Sequence, residues 1–209
     1  MRKTIFALAL MFQTLAVAAA GVDYTSLKQS IDSDPEAYSA LLNRFNSGDE
    51  SLTPGEVATV YFGSATLTPQ PSRDYTAINS LRAARRFGEM KPLCLKALDS
   101  DPVSLTLLFR LFAAAYNAPE GRDEATVSSA GTRINQICDA IFASGTGVTE
   151  TDPFHVVSEG DIEQFLLNYV RVDSILGMAR QGLLSVAHVQ LPGREEPAYL
   201  YFLPHHTTD

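Results

Sequence analysis

Ala97-Leu98-Asp99-Ser100-Asp101-Pro102-Val103-Ser104-Leu105-Thr106-Leu107-Leu108-Phe109-Arg110-Leu111-Phe112-Ala113-Ala114-Ala115-Tyr116 is the stretch that decides the fold class. Proline lacks an amide hydrogen and disfavours helix at the residue before it, so a helix ends by Asp101 and the chain restarts at Pro102. Beyond that break Leu105, Leu107, Leu108, Phe109, Leu111, Phe112 and Tyr116 surround a helix on nearly all sides. A helix that is apolar all round belongs at the centre of a core. Two helices joined by so short a link lie antiparallel.

Upstream the same logic continues. Met90, Leu93, Cys94, Ala97 and Leu98 form the apolar face of the preceding helix, with Pro92 expected near its start. Tyr75, Ile78, Leu81 and Ala84 mark another. Thr53-Pro54-Gly55-Glu56 is a capping box with proline at the first helical position, closed by Gly63. Asp34-Pro35-Glu36 opens a helix carrying Tyr38, Leu41, Leu42 and Phe45 and stopping at Gly48, with a short turn over Tyr24, Leu27 and Ile31 before it. Downstream, Val127, Ala130, Ile134, Ile137, Cys138, Ile141 and Phe142 mark a long helix that ends at Gly145-Thr146-Gly147.

Past residue 150 the period changes. Phe154 to Val157 reads as a strand, and Ile162, Phe165 and Leu166 as a helix. Leu183 to Leu191 and Ala198 to Leu203 read as strands joined across Pro192 to Pro197, while Asp173 and Ser174 weaken a strand over Val170 to Met178. The expected fold is α+β and predominantly helical: antiparallel helix pairs over residues 21–150, then a small C-terminal antiparallel sheet over residues 151–209, forming one compact domain.

Residues 1–20 have the layout of an export signal: basic Arg2 and Lys3, an apolar run from Ile5 to Val17, and Ala18-Ala19-Ala20 before Gly21. The apolar run is too short for the roughly 20 residues of a membrane span, so cleavage and a soluble exported product, periplasmic or secreted, are expected. Apolar residues make up 45% and charged residues 19%, which is the balance of a folded chain. The formal net charge is −8, and loss of Arg2 and Lys3 makes it more negative. Nucleic acid is therefore excluded as a partner, since its binding needs clustered Lys and Arg, and no later segment is apolar enough for membrane insertion. An oxidising compartment permits a Cys94–Cys138 disulfide, although both cysteines sit on apolar helix faces, where buried free thiols are usual.

Two resemblances follow. Ala97-Leu98-Asp99-Ser100-Asp101-Pro102 is similar to the junction between tetratricopeptide repeats, with Leu108, Leu111 and Tyr116 where that repeat places large residues; an ordinary Asp-Pro helix boundary reads the same way. The match covers about one and a half units, short of the three a solenoid needs, so it implies only a tetratricopeptide-like helical core. Across the whole chain, Arg44-Phe45-Asn46-Ser47-Gly48-Asp49-Glu50-Ser51-Leu52-Thr53-Pro54-Gly55-Glu56 followed by Tyr61-Phe62-Gly63 resembles the opening of a family catalogued as domain of unknown function 4919. The helix junction, the Gly145–Gly147 break, Phe154 to Ser158 and Leu200-Tyr201-Phe202 follow in the family's order. The resemblance implies an exported protein of a Gram-negative bacterium and brings no catalytic residues.

The sequence contains no phosphate loop, nucleophile elbow, zinc-protease or dinucleotide motif, so no catalytic residue, metal ligand or cofactor is expected. His155 with Glu159 and Asp161 offers an imidazole and carboxylates for acid–base work, but a strand histidine beside helix-capping acids is the preferred reading. Arg82, Arg85 and Arg86 form the basic concentration, readable as an anion site or, preferably, a solvated face. Tyr61, Phe62, Tyr75 and Phe87 either line a peptide groove or bury a connector. His205 and His206 read as a frayed tail. The expected function is a non-catalytic module binding an envelope or secreted protein or peptide; the alternative is an enzyme or small-ligand protein with its site around His155.

Overall fold

A computed structural model of the chain describes residues 21–68, 70–71 and 73–206. The export-signal expectation falls on residues 1–20 and lies outside the described residues. The order is α1 (Tyr24–Ser33), α2 (Pro35–Ser47), α3 (Pro54–Ser64), α4 (Thr76–Ala83), α5 (Phe87–Leu98), α6 (Leu105–Tyr116), α7 (Glu124–Ala143), β1 (Phe154–Ser158), α8 (Glu159–Gln164), a π-helical turn (Phe165–Val170), β2 (Ser174–Gln181), β3 (Leu184–Gln190) and β4 (Ala198–His206). The fold is α+β and predominantly helical, as expected.

Local chemistry sets the boundaries. Asp23, Asp34, Thr53, Ser104 and Asp123 each cap a helix by accepting from a backbone N–H in its first turn. Helix α6 starts at Leu105, three residues after Pro102, because Ser104 supplies the cap and Asp101 is drawn aside by Arg73 and Tyr75. Pro92 is not near a helix start but sixth in α5, so the Gly88 carbonyl has no helical donor. Helix α6 is packed by α5 on one side and α7 on the other, which is why its apolar residues run nearly all round it.

The sheet has the order β1-β4-β3-β2 and is mixed, not antiparallel throughout. The β2–β3 and β3–β4 pairs are antiparallel, but β1 runs parallel to β4, with Phe154 opposite Phe202 and Ser158 opposite His206. The reason is topological: between β1 and β4 the chain passes through a helix and a full hairpin, so β4 returns in the direction of β1. The β2–β3 turn uses Gly182 at φ +63, and β2 begins at Ser174 despite its polar start. The tail is not frayed, because β4 continues to His206 and the His205 ring stacks on Tyr24 at 4.2 Å.

One continuous core joins both halves, from Phe45, Tyr61 and Leu108 to Phe165 and Phe202. The sheet's edge at β1 is closed by hydroxyls from the helices: His155 N–H donates to Ser144 Oγ (2.8 Å) and Val157 N–H to Tyr61 Oη (3.0 Å). Gly145 and Gly147 make that docking possible. A Cβ on Gly145 would lie 2.1 Å from the Pro153 carbonyl oxygen, and one on Gly147, at φ +66, would lie 2.2 Å from the Phe154 ring. Cys94 and Cys138 are both buried and unbridged. No helix among the described residues is long and apolar enough to cross a membrane.

Candidate functional site

The Arg44–Glu56 signature is a locked helix–loop–helix joint. Gly48 ends α2 at φ +77, where a Cβ would meet the Ser129 backbone at 2.8 Å. The Arg44 guanidinium donates to Asp49 (2.8 Å), Glu56 (2.8 Å) and Ser51 (3.3 Å), while Glu56 also accepts from the Thr53 amide. Arg44, Asp49 and Glu56 are thus spent on the joint, while Glu50 is exposed and accepts from Thr132 (3.5 Å), so the motif explains the entry into α3.

Tyr61 and Asp161 come together although 100 residues separate them. Tyr61 projects from α3 and is fully buried; Asp161 lies in the first turn of α8 and is 1% exposed. The Tyr61 hydroxyl donates to Asp161 Oδ2 (2.9 Å) and accepts from Val157 N–H, while Asp161 Oδ1 accepts from the Leu105 N–H at the start of α6 (3.1 Å). Four elements therefore meet at one carboxylate. Burial pushes the Asp161 carboxyl up to about 6, against the two donated hydrogen bonds, and burial beside Asp161 raises the Tyr61 phenol as well. The pair has the composition of an acid–base site but no access to one.

His155 does not join them. On β1 its ring lies near Gly21 and Tyr24, 8% exposed, and burial lowers its pKa. Its Nδ1 and the Tyr24 hydroxyl are buried without a hydrogen-bond partner among the described residues. Glu159, the expected companion, turns instead to Ser185 (3.0 Å) and Arg180 (3.9 Å). Arg85 and Arg86 sit between α4 and α5, both exposed: Arg85 makes the left-handed turn at φ 56, and Arg86 pairs with Glu89. None of Tyr61, His155, Glu159, Asp161, Arg85 and Arg86 lines a cavity described here. The sequence candidates are thus a buried junction, a separately buried histidine and groups nearer the surface, not one site.

A groove lies elsewhere. Helices α1 and α7 each pack against α3 but make little contact with one another, so a groove of about 860 Å³ opens over α3. Its floor is Val57, Ala58 and Phe62. One wall carries Asp23, Ser26 and Leu27 of the α1 end, the other Gln136, Asp139 and Phe142 of α7. Phe142 is 58% exposed at the rim, and Asp139 accepts a hydrogen bond from Tyr169 (2.6 Å). Of the four aromatics read as a possible groove only Phe62 lines it; Tyr61 is interior, and Tyr75 is tied to Asp101 and Ser104. The sequence did carry one signal: α3 is apolar on several faces, so it needs cover on more sides than one neighbour supplies.

Neither the curated proteins nor the solved structures contain a significant match to the chain. The sequence profile of one family, the domain of unknown function DUF4919, matches residues 25–184, from α1 to the turn after β2. That span holds the Arg44 joint, the Tyr61–Asp161 junction and the groove's lining apart from Gly21, Val22 and Asp23, and the chain belongs to the DUF4919 family.

Proposed function

We propose that the protein is an exported, non-catalytic module that binds a protein or peptide in the periplasm or outside the cell. The groove over α3 is the observation that carries this reading. It is concave, mostly apolar and of a size that recognition sites use, with a few polar residues such as Gln136 and Asp139 in its lining. Acid–base catalysis around His155 finds less support, because Glu159 and Asp161 are each engaged with other partners and the imidazole faces Gly21 and Tyr24.

The test is capture of the tagged protein's partners from its native envelope, run in parallel with an Ala143→Trp variant. Ala143 is an exposed residue on the α7 wall, so the indole narrows the groove without entering the core. A stoichiometric partner that binds the wild type and is lost with the variant supports the reading. A partner retained equally by both, or turnover that His155→Ala abolishes, refutes it.

A further inference from the structure

We infer that the groove's occupant is a segment of a partner protein in which a short aliphatic run is flanked by lysine or arginine; this rests on reading the groove as a recognition surface. The argument is charge placed on an apolar frame. Asp23 stands on the α1 wall and Asp139 on the α7 wall, and no Lys or Arg lines the groove between them; Gly21, whose α-ammonium the expected cleavage would free, also lines it, so the lining keeps a net negative charge through Asp139. Neither carboxylate has an ion-pair partner among the described residues: Asp23 accepts from the Ser26 amide and hydroxyl, and Asp139 from the Tyr169 hydroxyl. The cations nearest in sequence are already used, since Lys28 pairs with Asp32 and Arg133 donates to Asn46 and the Pro102 carbonyl.

Two carboxylates in the lining of an apolar groove favour cations beside aliphatic side chains, and they disfavour an acidic segment or a fatty-acid carboxylate. The chain's formal charge of −8 acts in the same sense at longer range, raising the encounter rate with basic partners. The apolar lining takes the aliphatic run, chiefly through Ala58, Phe142 and Ala143, which keep exposed surface above the buried Val57 and Phe62. An apolar lining with a few charged residues on its walls suits a peptide segment of mixed apolar and charged side chains.

The experiment is selection of a displayed library of random 16-residue peptides on the wild-type protein, with Ala143→Trp and the double variant Asp23→Asn/Asp139→Asn as counter-targets. Asparagine caps a helix about as well as aspartate, so the double variant keeps α1 intact. Selected peptides are expected to be rich in Lys or Arg beside Leu, Ile or Val and to lose binding to Ala143→Trp. Their affinity should fall about fivefold on the double variant at low salt, the scale of one or two exposed charge pairs. Peptides that need the groove but show no basic enrichment and no loss on the double variant overturn this inference and leave the proposed function standing. Absence of any groove-dependent peptide overturns both. Equal, groove-dependent binding of dodecyltrimethylammonium at submicellar concentration assigns the groove to a cationic amphiphile and overturns the peptide partner.

Discussion

Replacing Tyr61 with phenylalanine removes one oxygen and strands two buried groups. Val157 N–H loses its acceptor at 3.0 Å, and Asp161 Oδ2 loses its donor at 2.9 Å. An unpaired buried amide costs about 1–3 kcal/mol, and a hydrogen bond to a buried carboxylate contributes about 1.5–3 kcal/mol. The ring is retained, so no cavity cost is added. The expected loss is therefore about 3–5 kcal/mol. For a chain of this length about 2–4 °C accompanies each kcal/mol, which places the fall in Tm at about 10 °C or more.

The pH dependence is a sharper test, because Asp161 is part of the same contact. Burial pushes its carboxyl up to about 6 in the fold, against 3.8 for a free aspartate side chain. A group raised in this way contributes stability that is fully present below the unfolded value and is lost as pH rises through the folded one. Between pH 3.8 and about 6, ionising Asp161 accordingly costs about 3 kcal/mol. Tyr61→Phe removes a donor to the ionised form, so its penalty should be largest above pH 6 and shrink toward pH 4. Urea unfolding of both proteins at pH 4, 5, 6 and 7.5 measures this. A penalty under about 1 kcal/mol at pH 7.5, or one that does not change with pH, refutes the four-element junction.

Three further outcomes are expected. Gly147→Ala must accommodate a Cβ 2.2 Å from the Phe154 ring at φ +66, so it should lower stability by about 2–4 kcal/mol in urea unfolding, whereas Gly177→Ala, with open space around it, should not. Thiol reagents should leave Cys94 and Cys138 unmodified until the protein unfolds, since burial pushes Cys94 up to about 11 and Cys138 higher still; rapid native modification of either contradicts the packing. His155, whose pKa burial lowers, adds stability that is present above 6.5 and lost as pH falls, opposite in sign to Asp161, so His155→Gln should flatten the acid side of the stability profile. NMR titration of the imidazole reads its pKa directly.

What the sequence revealed depended on how far apart the deciding residues lie. Caps and breaks are local, so Asp34-Pro35, the Thr53–Glu56 capping box and the Gly48 stop placed α2 and α3 within a residue of where they are. Pro102 misled because the true cap, Ser104, competes only once Arg73 and Tyr75 draw Asp101 away, and both partners are more than 25 residues distant. The parallel β1–β4 pair was not legible for the same reason: strand direction depends on how the chain returns after α8 and two hairpin strands, and alternation of apolar residues is blind to it.

The site follows the same rule with a harder consequence. His155, Glu159 and Asp161 are neighbours in sequence, yet strand alternation and the start of α8 send them to three different places: Gly21 and Tyr24, Ser185, and Tyr61. Residues chosen for chemistry by proximity in sequence were thus separated by the very elements that hold them. The groove, in contrast, is made of residues that each look like ordinary core: Val57 and Phe62 are 3% exposed and pack like any apolar pair. What turns them into a floor is that α1 and α7 both rest on α3 without closing over it. That gap is set by where three helices cross, a property no single helix encodes. On a helix as apolar as α3 an open groove therefore arises where its covering neighbours fail to meet, and here that place lies between α1 and α7.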